Sequence, residues 1–175
     1  ARGLTRFVGR EAELEQLRQA LSRAAAGHGQ VVTIVGEPGV GKSRLVWEVT
    51  HSHRTHGWLI LEAGSVSYGK ATPYLPVIDL LKGYFQTEGR DDARKIREKV
   101  TGKLITLDET LRPTLPAFLA LLDVAVEDPE WQGLNPPQRR QQTLDAVKRL
   151  LIRESRVQPL LVVFEDLHWI DTESQ

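Results

Sequence analysis

The chain contains no cysteine. That excludes a disulfide framework and any thiolate metal site, and it suits a reducing, cytoplasmic interior. Long hydrophobic runs are also missing: no stretch approaches the roughly 20 apolar residues that span a bilayer. No signal-peptide pattern opens the chain, so neither membrane insertion nor a membrane partner is expected. An excess of charge of one sign is lacking too. Lys+Arg and Asp+Glu stand at 23 each, for a formal net charge of +0, so no global field recruits nucleic acid or an anionic surface. There is no internal repeat and no low-complexity linker. What remains is a chain of 175 residues, enough for one domain with a sizeable core. It opens on Ala1 rather than Met and stops at Gln175, shortly after the last strand-like run. Both ends are expected to be cuts, leaving one domain over 1–175 that is incomplete at its C-terminus.

The most informative stretch is Gly36-Glu37-Pro38-Gly39-Val40-Gly41-Lys42-Ser43, which fits the phosphate-binding loop pattern G-x-x-x-x-G-K-[ST]. Val31-Val32-Thr33-Ile34-Val35 precedes it, a β-branched apolar run that predicts a buried strand. Arg44-Leu45-Val46-Trp47-Glu48-Val49 follows at helical spacing, so the motif is expected to bridge strand to helix. Glycines allow consecutive backbone N–H groups to turn toward a phosphate without a Cβ in the way. The helix that follows points its positive end at the same anion. Lys42 supplies a point charge for the β- and γ-phosphates, and Ser43 a hydroxyl for Mg²⁺. Gly36 to Ser43, with Arg44 at the helix start, are therefore the candidate nucleotide-binding residues, with ATP and Mg²⁺ as the implied ligands. The bland alternative is a Gly-rich turn with a stray lysine.

A second constellation is Leu160-Leu161-Val162-Val163-Phe164-Glu165-Asp166. Five apolar residues predict a strand buried on both faces, with two carboxylates at its carboxyl end, where open parallel sheets place ligands. One acid there can hold Mg²⁺ and its neighbour can orient or deprotonate a water. Many strands end in a solvated acid, so this run gains meaning only beside the phosphate loop.

Between and around these motifs the pattern alternates. A helix is predicted over 10–26 and ended by Gly27-His28-Gly29, and a strand over 58–63. Roughly a hundred residues then read as helical over 76–85, 91–107, 116–126 and 137–156 before the strand at Leu160. The implied fold is α/β: a P-loop NTPase three-layer arrangement with a parallel sheet of which three strands are present, and a helical insertion before the last.

Other candidates carry less. His51, His53 and His56 do not fall on one helical face, and cations near a helix C-terminus explain them better than a metal site. Asp91-Asp92 reads as a helix N-cap. Arg139, Arg140, Lys148 and Arg149 read as a solvated helix face, since acids and apolar residues interrupt them, and no direct nucleic-acid contact is expected. The glycine spacing does not fit the dinucleotide pattern G-x-G-x-x-G. A P-loop kinase is disfavoured because adjacent strand-end carboxylates suit attack by water.

These residues resemble a family. The opening Leu4-Thr5-Arg6-Phe7-Val8-Gly9-Arg10-Glu11, the phosphate loop, and Phe164-Glu165-Asp166-Leu167-His168-Trp169-Ile170-Asp171 are similar to STAND-type AAA ATPases. The stretch from Ser67 to Leu81 resembles the ATPase module found between a class III adenylate/guanylate cyclase domain and TPR-like repeats in bacterial signalling proteins. The resemblance implies that the segment Phe7-Val8-Gly9-Arg10 lies over the adenine, with its apolar residues Phe7 and Val8 packing the base, although Phe7 also suits a hydrophobic staple ahead of the first helix. It implies a Walker B strand in which Glu165 takes the metal side and Asp166 activates water as the catalytic acids. Glu165 stands where the family commonly has Asp, which leaves the division of roles between the two open. His168 and Asp171 match positions that sense the γ-phosphate, or serve as caps. The implied activity is ATP binding, with hydrolysis of the β–γ phosphoanhydride, in a switch module. Its partners would be ATP/ADP and the cyclase and TPR-like domains of the same protein. The alternatives are the ATPase module of a helix-turn-helix transcription regulator, or a non-hydrolysing scaffold.

Overall fold

The computed structural model describes residues 8–64 and 74–165. The chain divides into two compact units, Ala1–Trp58 and Leu59–Gln175, and each is described by itself.

In the first unit, helix α1 runs Glu11–Ala25 and helix α2 runs Lys42–Thr50. Two acids in the first turn of α1, Glu11 and Glu13, suit the helix dipole. Its last turn closes on Gly27, whose φ of +87° is the left-handed conformation a C-terminal glycine supplies. The bonds that seal it are Gly27 N–H to Ala24 O at 2.9 Å and His28 N–H to Arg23 O at 3.0 Å. Helix α2 ends at His51, whose ring stacks on Trp47 with centroids 4.5 Å apart. Only Leu21, Leu45 and Val49 among this unit's described apolar residues are buried.

The run from Val31 to Val35 does not form the expected buried strand. It is irregular and unpaired, and Val31 is 97% exposed and Val35 88%. β-branched residues favour an extended backbone, but a strand exists only where a neighbour accepts its ladder of hydrogen bonds. Among the described residues this segment has no such neighbour.

The second unit holds the sheet. Strand β1 (Leu59–Gly64) pairs in parallel with strand β2 (Leu160–Glu165), in the register Leu59 with Leu160 through Gly64 with Glu165. The described residues thus form two strands rather than the expected three, and no third layer is defined by them. A parallel pair demands a crossover, and here it is the helical block: α3 (Leu75–Phe85), α4 (Ala93–Leu107), α5 (Leu115–Leu121), α6 (Pro129–Gly133) and α7 (Pro136–Val157). Caps start these helices where the sequence supplies them. The Asp92 carboxylate accepts from Lys95 N–H at 2.8 Å, and Asn135 forms a reciprocal capping box with Gln138 ahead of α7. Asp91 does not cap; its carboxylate takes Lys99 Nζ at 2.5 Å, Lys95 Nζ at 2.9 Å and the Glu88 N–H at 2.8 Å.

One contiguous core of seventeen buried apolar residues, from Leu61 to Leu150, lies in this unit. Phe85 packs edge-to-face with both Tyr84 (centroids 4.9 Å apart) and Phe118 (5.4 Å). Each such side chain contributes about 1.5–3 kcal/mol by leaving water. One polar pair is admitted to it: the Tyr84 hydroxyl donates to Glu154 Oε1 at 2.5 Å, joining α3 to α7. Burial, and then the Glu154 carboxylate, push the Tyr84 phenol far above its ordinary pKa.

One expectation for this unit changes and another gains detail. Strand β2 is half-buried rather than enclosed on both faces, with Phe164 40% exposed. The basic face of α7 is solvated, with Arg139, Arg140, Lys148 and Arg149 all exposed, and two of these also bond carbonyls: Arg139 donates to Gln132 O at 3.0 Å and Arg149 to Thr110 O at 2.6 Å. Arg153 pairs with Asp108 at 2.6 Å. These arginines tie α7 to the turns around it. No described helix is long and apolar enough to cross a membrane.

Candidate phosphate-binding loop and strand-end carboxylate

The loop before α2 takes its shape from its glycines. Gly39 and Gly41 hold φ of +82° and +89°, conformations that a Cβ would strain. At Gly36 a Cβ would lie 3.0 Å from Val40 Cγ2, so a larger residue there would displace that side chain. Gly41 is the residue before the helix, and no side chain caps the N–H groups of the first turn. Those donors lie at the positive end of α2, which makes the turn a receptor for an anion.

Lys42 folds back over this loop. Its ammonium donates to Gly36 O at 2.8 Å and to Glu37 O at 3.0 Å. The motif cation is therefore poised over the turn, and Ser43 stands exposed beside it. Arg44 points elsewhere: its guanidinium pairs with Glu48 and lies 5.1 Å from the Trp47 ring centroid. That side chain braces α2 along its own surface.

Arg10 was not legible as a loop contact. Its guanidinium donates from Nη2 to Val40 O at 3.0 Å and from Nη1 to Glu13 Oε1 at 2.6 Å. The hydrogen bond from Arg10 is the main reason the Glu13 carboxyl is held below its ordinary pKa. One signal was available in the sequence. Arginine is a poor cap and its charge opposes the dipole at a helix start, yet Arg10 occupies the N-cap of α1.

Of the two strand-end acids, Glu165 closes β2, level with Gly64 of β1 at the carboxyl end of the parallel pair. Asp166, Phe7, His168 and Asp171 lie outside the described residues, as does the part of the Ser67–Leu81 stretch before Tyr74. Val8 is described and is 66% exposed. The phosphate loop belongs to the first unit and Glu165 to the second. Among the described residues no three or more His, Asp or Glu side chains gather as a metal-binding group.

Residues 6–175 match the AAA ATPase domain family. An uncharacterized protein of Rhizobium meliloti (strain 1021) is 28% identical over 186 aligned positions, covering 97% of this chain. The chain spans 16% of that protein's length. No solved structure matches. With nearly its whole length matched, its glycine-shaped phosphate loop and its parallel strand pair, the chain belongs to the AAA ATPase domain family and is an ATPase module of the P-loop type.

Proposed function

We propose that this domain is a nucleotide-driven switch: it binds Mg-ATP, hydrolyses it slowly, and passes its nucleotide state to other domains of a signalling protein. The observation that carries the reading is the glycine-shaped turn ahead of α2 with the Lys42 ammonium folded over it. The backbone donors from Glu37 to Ser43, Pro38 excepted, hold the phosphates. Lys42 exchanges its bonds to Gly36 and Glu37 for the β- and γ-phosphate oxygens. Ser43 and Glu165 supply oxygen donors of the kind Mg²⁺ takes, one hydroxyl and one carboxylate, and these fit a hard cation. Bound Mg²⁺ would neutralise charge on the phosphates. Asp166, next along the chain, orients and deprotonates the attacking water. Phe7 and Val8 pack the adenine. Segments touching the γ-phosphate change order when it leaves, and that change is the signal.

The resemblance from Ser67 to Leu81 supports a STAND-type module beside a class III cyclase domain and TPR-like repeats, with the domain occupying 1–175. In that setting the switch would gate cyclic-nucleotide synthesis.

The test is calorimetric binding of Mg-ATP to the full-length protein and its Lys42→Ala variant. Affinity is expected to fall at least tenfold, about 1.4 kcal/mol, a modest share of a charged phosphate contact. Binding by the parent with unchanged affinity in the variant would remove the phosphate-loop assignment.

A further inference from the structure

We propose that Arg10 is a positioning residue for the phosphate loop, fixing the direction in which the Gly41 N–H points. The inference rests on the nucleotide reading above for its ligand, but its geometry stands independently of it.

A trans peptide is planar, with its carbonyl and its N–H on opposite sides. No cis peptide is present among the described residues. The Arg10 guanidinium holds the carbonyl of Val40 at 3.0 Å, so the N–H of the next residue, Gly41, must face the other way. That peptide has little else to hold it. It lies next to a left-handed glycine on either side of Val40, and glycine rotates about φ and ψ at small steric cost. The loop's own bond near it, Val40 N–H to Glu37 O, is long at 3.5 Å. Without Arg10 the Val40–Gly41 plane can turn over and present a carbonyl where an anion needs a donor. Arg10 itself is aimed by Glu13, whose carboxylate takes the other guanidinium nitrogen at 2.6 Å. A planar fork puts a separate nitrogen on each acceptor, Nη2 on Val40 O and Nη1 on Glu13 Oε1, whereas an ammonium would have to reach both from one atom. The first turn of α1 is thereby linked to the crest of the phosphate loop, thirty residues later in the chain.

This role differs from a base contact in what it predicts. A residue that orients a phosphate donor affects any ligand with a phosphate chain, whereas one that packs adenine affects only nucleotides. Arg10→Ala, Arg10→Lys and Glu13→Gln are made in the full-length protein, and Mg-ATP and Mg-tripolyphosphate binding are measured by calorimetry. Amide hydrogen exchange over 36–45 is followed without ligand. Arg10→Ala is expected to weaken both ligands by the same factor, about tenfold, the scale of one charged hydrogen bond. Arg10→Lys recovers part of that loss because one donor still reaches Val40 O. Glu13→Gln costs about twofold to threefold, since the aiming charge is gone but an acceptor remains. Exchange at Val40 and Leu45, whose N–H groups bond Glu37 O and Gly41 O across this turn, accelerates in Arg10→Ala while that of α4 and α5 is unchanged. A loss confined to ATP, or unchanged exchange at the loop, overturns the proposal. If Arg10→Ala melts α1, seen as faster exchange across 11–25, the Lys and Gln variants carry the test. If the parent protein binds neither ligand, the nucleotide reading fails, and the ligand-free exchange still decides whether Arg10 holds the loop.

Discussion

The two units of the chain spend their apolar residues in opposite ways. In the second, seventeen side chains from Leu61 to Leu150 are gathered into one core, several of them fully enclosed. In the first, Leu21, Leu45 and Val49 are buried while Val8, Val31, Val32, Val35, Val40 and Trp47 stand exposed. The region carrying the phosphate-loop motif is thus the thinly packed one. Few buried contacts and many exposed backbone bonds are the marks of a segment that opens at low free energy. Ligand-binding elements are drawn from that end of the stability range, whereas the helical block supplies rigidity.

The most severe test of this contrast compares core deletions in the two units. Phe118→Ala, at 0% exposure, should cost about 3–5 kcal/mol. Leu45→Ala, in the thin unit, should fall near the lower end of the roughly 2–5 kcal/mol range for such truncations. Denaturant titration followed by segment-resolved hydrogen exchange reads both, and equal costs would break the comparison.

A smaller effect is expected at the one polar pair inside the dense core. Tyr84→Phe removes the donor to Glu154 and leaves a buried carboxylate with only a 3.3 Å contact from Gln158 Nε2. The expected loss is about 1–3 kcal/mol, the cost of an unsatisfied buried group. Adding Glu154→Leu should recover part of it, as a double-mutant cycle would register.

The smallest change at neutral pH is expected at Asp91, whose partners Lys95 and Lys99 are partly in water. Its distinguishing mark is pH dependence. The Lys99 ammonium, the Glu88 N–H and then Lys95 hold the Asp91 carboxyl well below the usual carboxylate range. A depressed folded-state pKa contributes stability that is present above the unfolded value, about 4, and is lost as pH falls below it. Asp91→Asn should therefore lower the unfolding midpoint at pH 7 and flatten the decline below about pH 4. A parallel decline in both proteins would mean that Asp91 carries no such linkage.

How far the fold could be read from the chain differs between the same two regions. The helices α1, α4 and α7 coincide closely with the segments marked by apolar periodicity and end-signals, because a helix satisfies its own backbone and needs only one apolar face. Asp92 announced its cap in the same way. A strand cannot be read so locally. Val31 to Val35 has the composition of a buried strand and none of the pairing, since pairing depends on a partner far away in sequence. The candidate site shows a similar division. Gly39, Gly41 and Lys42 are legible because the motif and the geometry lie within one turn of chain. Arg10 is not, because its acceptor lies thirty residues on, and no periodicity encodes such a distance.

Helix α7 has a mechanical consequence. At 22 residues it is a rod of about 33 Å. Three struts clamp its far half: Arg149 to the Thr110 carbonyl, Arg153 to Asp108, and Glu154 to Tyr84. Only Gln158 and Pro159 lie between its last residue and β2, and the proline ring locks one of the few torsions available there. Such a short, stiff coupling has almost no slack. The clamps that hold the end of α7 therefore also hold the start of the strand that ends in Glu165.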